Sequence, residues 1–201
     1  MMPATIPAIT LSCATSIYSK TAPNFRYALS TYGLLMMTAA HESDRWQARR
    51  QYTFAATEKS LGQWNYRGAF GLHQIEKGSV ESSLARLHRD APLLERCAYW
   101  LQMHGCDAAS WLMAKSGDHD NTEELSRAIL NAMREPEGDP VSVLFARLHY
   151  MRVPAAIPAT PERWASYAKD HYNTYLGKAT PGDYFRSWNA LPPEVRQWRA
   201  G

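Results

Sequence analysis

PNFRYALSTYGLLMMTAAHES, residues 23–43, decides the fold of this chain. Pro23 and Asn24 are helix-entry residues. Phe25, Ala28, Tyr32, Leu35 and Ala39 follow at spacings of three, four, three and four, which places them on one face of a helix. Glu42 lies three residues beyond Ala39, on that same apolar stripe. A carboxylate is expensive to bury, so at this position it has a partner or a raised pKa.

Downstream, residues 44–67 turn polar, with Trp46, Tyr52, Trp64 and Tyr66 interleaved among charged and amide side chains. That length of connection, or of loop with a short hairpin, is often functional. Gly68-Ala69-Phe70-Gly71-Leu72-His73-Gln74-Ile75-Glu76 follows, a glycine-bracketed turn entering a helix or a small hairpin. Helical spacing resumes with Val80, Leu84 and Leu87, and again after Pro92 with Leu94, Ala98, Leu101 and Met103. Trp111, Leu112 and Met113 form a further apolar patch.

Asp118 and Asp120 raise the idea of a calcium loop, but the glycine and distal glutamate of an EF-hand are missing. Asn121 with Glu124 fits a helix cap instead, with the helix running to about Arg134. Val141, Leu144, Phe145, Leu148 and Met151 mark another helix after the Glu135–Pro140 break. Helices are expected near Glu162–His171 and Pro181–Ala190, with a short piece from Pro192. No strong strand alternation and no fixed-length repeat is visible.

Upstream, residues 1–20 carry Pro3 and Pro7 among Ser and Thr and read as an extended arm. The expected architecture is mainly α: an arm over 1–20 and one helical domain over 21–201. With 45% hydrophobic and 20% charged residues, the chain can bury a core and is not a low-complexity segment. A net charge of +3, without a long Lys/Arg block, predicts no specific nucleic-acid binding. Three cysteines (Cys13, Cys97, Cys106) without a Cys-x-x-Cys pair read as reduced core thiols, although Cys97 and Cys106 could meet. No basic segment opens the apolar N-terminus, so no secretory signal is expected. No apolar run reaches the roughly 18 residues that cross a bilayer. Seven scattered histidines offer no metal-ligand spacing, and His41-Glu42 lacks the second histidine of a zincin. No metal and no cofactor are expected. A phosphate loop and a Gly-x-Ser-x-Gly nucleophile turn are also absent.

What remains is carboxylate chemistry. Cleaving a glycosidic bond requires a proton on the leaving oxygen, and a carboxylic acid supplies one near neutrality only from an apolar site. Glu42 has that setting, with Tyr32 on the same helix face. The Gly68–Gly71 pair lets backbone approach a ligand, and Gln74 carries both a donor and an acceptor suited to a sugar.

Glu42-Ser43 followed by Gly68-Ala69-Phe70-Gly71-Leu72-His73-Gln74 resembles the lytic transglycosylase and goose-type lysozyme superfamily. That superfamily has its catalytic glutamate in a Glu-Ser dipeptide and a Gly-Ala-x-Gly-Leu-Met-Gln segment beyond it. The closer resemblance is to small tailed-bacteriophage virion proteins with a lysozyme-like domain. It rests on His41-Glu42-Ser43, Arg50-Gln51, Gly68–Glu76, Ala146–Pro154 and Lys169–Lys178, and spans residues 24–190. His73 stands where the superfamily often has Met. No Tyr-Asn-Ala-Gly segment occurs late in the chain, and Tyr150 or Tyr172-Asn173 are the candidates to replace it.

The resemblance implies a lysozyme-like fold cleaving the bond between N-acetylmuramic acid and N-acetylglucosamine. Glu42 would be the acid and then the base, and Ser43, Gly71, Leu72, Gln74 and Tyr150 would bind substrate. In the transglycosylase route the sugar's own 6-hydroxyl closes on the anomeric carbon. A hydrolase of inverting type instead needs a second carboxylate about 6.5–9.5 Å away, for which Asp44, Glu58 and Glu76 are candidates. The implied setting is a phage particle, made in the host cytoplasm and acting at the cell wall during genome entry. The partners are peptidoglycan strands and other virion proteins of the tail or internal core. The alternatives are a structural virion protein that keeps the fold with little activity, and a small cellular muramidase.

Overall fold

A computed structural model describes residues 5–18, 24–44, 46, 50–52, 68–114, 122–173 and 177–197. In chain order the elements are α1 (Thr5–Ser16), α2 (Phe25–Glu42), β1 (Arg50–Tyr52), β2 (Gly68–Phe70), β3 (Ile75–Glu76), α3 (Lys77–Leu87), α4 (Ala91–Met103), α5 (Ala108–Ala114), α6 (Thr122–Ala132), α7 (Asp139–Tyr150), α8 (Pro161–Ala168), α9 (Pro181–Asn189) and α10 (Pro193–Arg196). A 3-10 turn at Pro136–Gly138 leads into α7, and a π turn at Lys169–Asn173 extends α8. The chain is mainly α, as its periodicity indicates.

Helix α2 is the axis. Asn24 caps it by accepting the Tyr27 amide at 2.9 Å, a cap contributing about 1 kcal/mol. Its expected one-sided stripe is corrected in two ways. Phe25 is 53% exposed, and every residue from Ser30 to Ala40 is buried. A helix buried all round has neighbours all round, and α1, α7, α8 and α9 pack against this one. Gly33 lets α8 come close: a Cβ there would lie 2.2 Å from the Trp164 ring.

The N-terminal arm is the largest correction. Residues 5–16 are helical, not extended, and Ile6, Thr10, Cys13, Ala14 and Ile17 are buried. Their spacing of four, three, one and three is one helix face. Pro7 is third in the helix, where the backbone N–H has no intrahelical acceptor and its loss is harmless. Burying each isoleucine contributes about 1.5–3 kcal/mol, so α1 is part of the core rather than an appendage. Buried Arg147 from α7 fastens its end, donating Nε to the Ile17 carbonyl at 3.1 Å.

A small antiparallel sheet, order β1-β2-β3, stands where strand alternation was too short to see. Arg50 pairs with Phe70, Gln51 with Ala69 and Tyr52 with Gly68; Ala69 and Phe70 pair in turn with Glu76 and Ile75. The Gly68–Glu76 segment is thus a hairpin that then opens directly into α3, with Val80, Leu84 and Leu87 buried.

Helix α4 starts at the Asp90 cap and buries Leu94, Ala98 and Leu101, but Met103 is 65% exposed. The Asn121 cap and the Asp118/Asp120 loop lie outside the described residues. Helix α9 opens with a reciprocal capping box between Thr180 and Asp183. All three cysteines are free and buried. Burial pushes the Cys97 thiol up to about 12 and the Cys13 thiol higher still, so both are inert core groups.

Candidate active site around Glu42

Glu42 is the last residue of α2, partly buried. Its carboxyl group is held above the usual carboxylate range, chiefly by burial and also by the nearby charge of Glu76. The C-terminal end of a helix dipole acts in the same direction, since it disfavours a negative charge. Hydrogen bonds from the Tyr184 hydroxyl and the Asn173 side chain oppose the shift, because they favour the ionised form. The balance is an acid that is predominantly protonated at a higher pH than an ordinary glutamate. The Tyr184 hydroxyl donates to Oε1, which leaves the acid proton to Oε2.

Tyr184 comes from α9 and is fully buried. Burial and the adjoining Glu42 charge push its hydroxyl far up, so it stays a donor. The His41 ring lies against its other side, with ring centroids 4.0 Å apart. Asn173 closes the π turn after α8, and its Oδ1 accepts from Lys169 Nζ at 3.2 Å. That contact orients the amide so that its NH2 faces Glu42. Two elements distant in sequence thus fix one carboxyl group at the end of the central helix.

The residues expected to bind substrate have a different place. Ser43 is wholly buried, and its hydroxyl donates to Ala39 O at 2.6 Å and accepts the Trp46 amide at 2.8 Å. It terminates α2 and positions Glu42. Leu72 is core. Gly71 has φ +74 and sits against Ser142, with no room for a Cβ. Gln74 is 6% exposed, takes φ +48, and turns its amide back to donate to Gly71 O at 2.8 Å. Tyr150 is 2% exposed. Thr38 Oγ1 already donates to Leu34 O, so Tyr150 donates to Thr38, at 2.8 Å. All five lie beneath or beside the carboxyl group, and the side chains of Ser43, Gln74 and Tyr150 bond within the fold.

The support is continuous. His73 is buried and neutral, with burial lowering its pKa to about 4. Its Nε2 donates to Leu35 O and its Nδ1 accepts from Ser142 Oγ, each at 3.2 Å. Its carbonyl accepts from the Tyr172 hydroxyl at 2.6 Å. Tyr172 packs on Tyr150 and His149, with ring centroids 5.3 and 4.7 Å apart. The Gly71–Gln74 turn is thereby tied both to α2 and to the π turn that carries Asn173. A methionine at position 73 would keep the backbone carbonyl contact with Tyr172 but make neither of the two ring hydrogen bonds.

Of the three second-carboxylate candidates, Glu76 is exposed at the start of α3, and its charge acts on Glu42. Asp44 is exposed beside a separate cavity lined by His41, Asp183, Arg186 and Ser187. Glu58 lies outside the described residues. Between the two late-chain candidates, Tyr172-Asn173 supplies the group at Glu42, through Asn173, while Tyr150 points to Thr38. Tyr184 was missed in the sequence. Its signal was the pair Tyr184 and Trp188, four apart in a helix and both buried.

Among the described residues no group of three or more His, Cys, Asp or Glu side chains is placed to hold a metal, and no helix is long and apolar enough to cross a membrane. Compared with protein-family models, curated proteins and solved structures, the chain matches none.

Proposed function

We propose that this chain is a peptidoglycan-cleaving enzyme of a phage particle, a muramidase or lytic transglycosylase, with Glu42 as its general acid and base. The observation that carries the reading is Glu42 itself: a carboxyl group at the end of the central helix whose pKa burial raises and which Tyr184 and Asn173 orient. The Glu-Ser and Gly-x-x-Gly-Leu-x-Gln resemblance supplies the substrate and the phage setting.

In this reading Oε2–H protonates the glycosidic oxygen as the bond to the anomeric carbon breaks. The resulting carboxylate then accepts the proton of the muramyl 6-hydroxyl as that oxygen bonds to the anomeric carbon. Glu42 ends protonated, and no second carboxylate is used. Tyr184 and Asn173 stabilise the carboxylate formed midway, because charge-assisted hydrogen bonds are stronger than neutral ones. If water attacks instead, Glu76 is the described carboxylate whose charge already reaches the site.

A second reading is favoured by a specific observation. Ser43, Leu72, Gln74 and Tyr150 are enclosed, which suits a structural virion protein that keeps the fold without cleaving glycan. Incubation of purified sacculi with the wild type and with Glu42→Gln separates the two. Fragment release by the wild type alone supports the enzyme, and no release by either folded protein supports the structural role.

A further inference from the structure

The large apolar side chains left exposed among the described residues are not scattered. Tyr99 (64%), Met103 (65%) and Met113 (48%) belong to α4 and α5, and only Phe25 stands apart, on α2. Glu95, Tyr99 and Met103 follow at spacings of four along α4, which makes them one stripe. Another side of α4 is spent on α1, where Trp100 Nε1 donates to Ser12 Oγ at 3.0 Å. Helix α5 packs against α4 after a turn through Gly105, at φ +68. Between the two helices lies a groove of about 440 Å³, whose lining includes Glu95, Ala98, Tyr99, Asp107, Ala109 and Met113.

The charges of this lining are all of one sign. Glu95 and Asp107 are exposed, and among the described residues neither carboxylate has an ion-pair or hydrogen-bond partner. The basic side chains nearest in sequence are engaged elsewhere. Arg96 donates to Tyr18 O at 2.6 Å and lies over the Tyr18 ring, 4.9 Å from its centroid. His104 meets Ser12 Oγ at 3.2 Å, and burial lowers its pKa. Two unpaired carboxylates thus rim an apolar groove on a chain whose net charge is +3. That local charge repels nucleic acid and an anionic bilayer. It also opposes a symmetric pairing of two copies through this face, which would bring two acidic rims together. A partner that is both apolar and cationic satisfies the groove and its rim at once, and the exposed Tyr99 ring offers a further face to a cation.

We propose that the α4–α5 groove docks a basic amphipathic helix of a partner protein. An apolar side chain of that helix seats between Tyr99 and Met113, and its lysine or arginine side chains meet Glu95 and Asp107. A groove between two helices takes a third along its apolar face, and methionine adapts to the side chain that enters. Neither α4 nor α5 supplies a group to Glu42, so the proposal goes beyond the cleavage reading and does not depend on it.

The test titrates the full-length protein, labelled at its methionine methyl groups, with a synthetic leucine–lysine amphipathic helix, and in parallel with the same helix carrying glutamate for lysine. The lysine helix should shift the NMR signals of Met103 and Met113 and leave those of Met36 and Met37, buried in α2, in place. It should bind about tenfold more tightly than the glutamate helix. Unspecific attraction to a chain of net charge +3 would favour the glutamate helix instead, so the preference reports the groove. An exposed ion pair changes affinity about two- to fivefold, and the double variant Glu95→Gln, Asp107→Asn should therefore weaken the lysine helix about fourfold or more. Both side chains are exposed and the replacements are close in shape, so the variant folds. Tyr99→Ala should weaken it about tenfold through loss of the aromatic anchor. Equal affinity for the two helices, wild-type affinity in the double variant, or no shift at Met103 and Met113 each overturns the proposal. So do shifts of those two signals with protein concentration alone, which would assign the face to a second copy of this chain.

Discussion

Gly71→Ala isolates the part of the architecture that supports the site. Gly71 has φ +74, and an added Cβ would lie 2.6 Å from Ser142 Oγ, 2.8 Å from Ser142 Cβ and 3.1 Å from Met133 Cβ. The left-handed backbone costs an alanine about 1–2 kcal/mol. Forcing a methyl group into packed surroundings costs about 1–3 kcal/mol more. The total is about 2–5 kcal/mol, which for a chain of this length lowers Tm by roughly 10 °C. Gly105 is the internal control: its φ is +68, but nothing lies within 4 Å of its Cβ position. Gly105→Ala should therefore show the backbone cost alone. Urea unfolding of both variants, read by the shift in midpoint at unchanged slope, gives the packing cost as the difference. A functional consequence follows from Ser142, which must move and release His73 Nδ1 and N–H, both at 3.2 Å. His73 carries Tyr172, and Tyr172 adjoins Asn173 at Glu42, so cleavage should fall together with stability. Equal destabilisation by the two substitutions would refute the reasoning, because the contact with Ser142 would then carry no energy.

Three other substitutions probe the groups directly. In Tyr184→Phe, Glu42 loses a donor that favours its ionised form, so the alkaline limb of the pH–rate profile should move to higher pH; an unmoved limb contradicts the contact. Glu42→Gln should abolish cleavage and unfold less readily than the wild type at pH 8. The sign follows from linkage: burial raises the folded carboxyl above its unfolded value, so ionisation destabilises the fold as pH rises through that range, and the variant's advantage should vanish on acidification. A constant advantage at all pH values speaks against a buried acid. His73 has the opposite sign. Its folded pKa of about 4 lies below the ordinary 6.5, so its stability contribution is full above pH 6.5 and is lost as pH falls towards 4. The loss is about 3 kcal/mol, and His73→Gln should flatten that slope in urea midpoints measured from pH 7 to 4.

The helices were legible because their apolar spacing is long and regular, as in Val80-Leu84-Leu87 and in Val141-Leu144-Phe145-Leu148. Helix α1 was not, because Pro7 reads as a breaker until its place in the first turn is known. The hairpin at 68–76 was legible as one of two readings of its glycine turn, but the third strand, Arg50–Tyr52, was not, since strands of two or three residues are too short to alternate. Glu42 was legible as an anomaly, a carboxylate on an apolar stripe. Its partners Tyr184 and Asn173 lie more than 130 residues away, and only tertiary packing brings them to it. The opposite error arose at Gln74 and Ser43: polar side chains beside a glutamate suggest ligand contacts, yet both satisfy their own backbone. Whether a hydroxyl or an amide faces outward depends on local φ and on the nearest carbonyl, as with Gln74 at φ +48, and residue type alone does not specify either.

The central claim is that Glu42 is a protonated acid acting on glycan. Its most direct test is digestion of purified sacculi by the wild type and by Glu42→Gln, with the soluble fragments identified by mass spectrometry. The account predicts anhydro-muropeptides, or reducing-end muropeptides if Glu76 activates water, from the wild type and none from the variant. Equal fragment release by the two proteins, or none from a wild type shown to be folded, would contradict it.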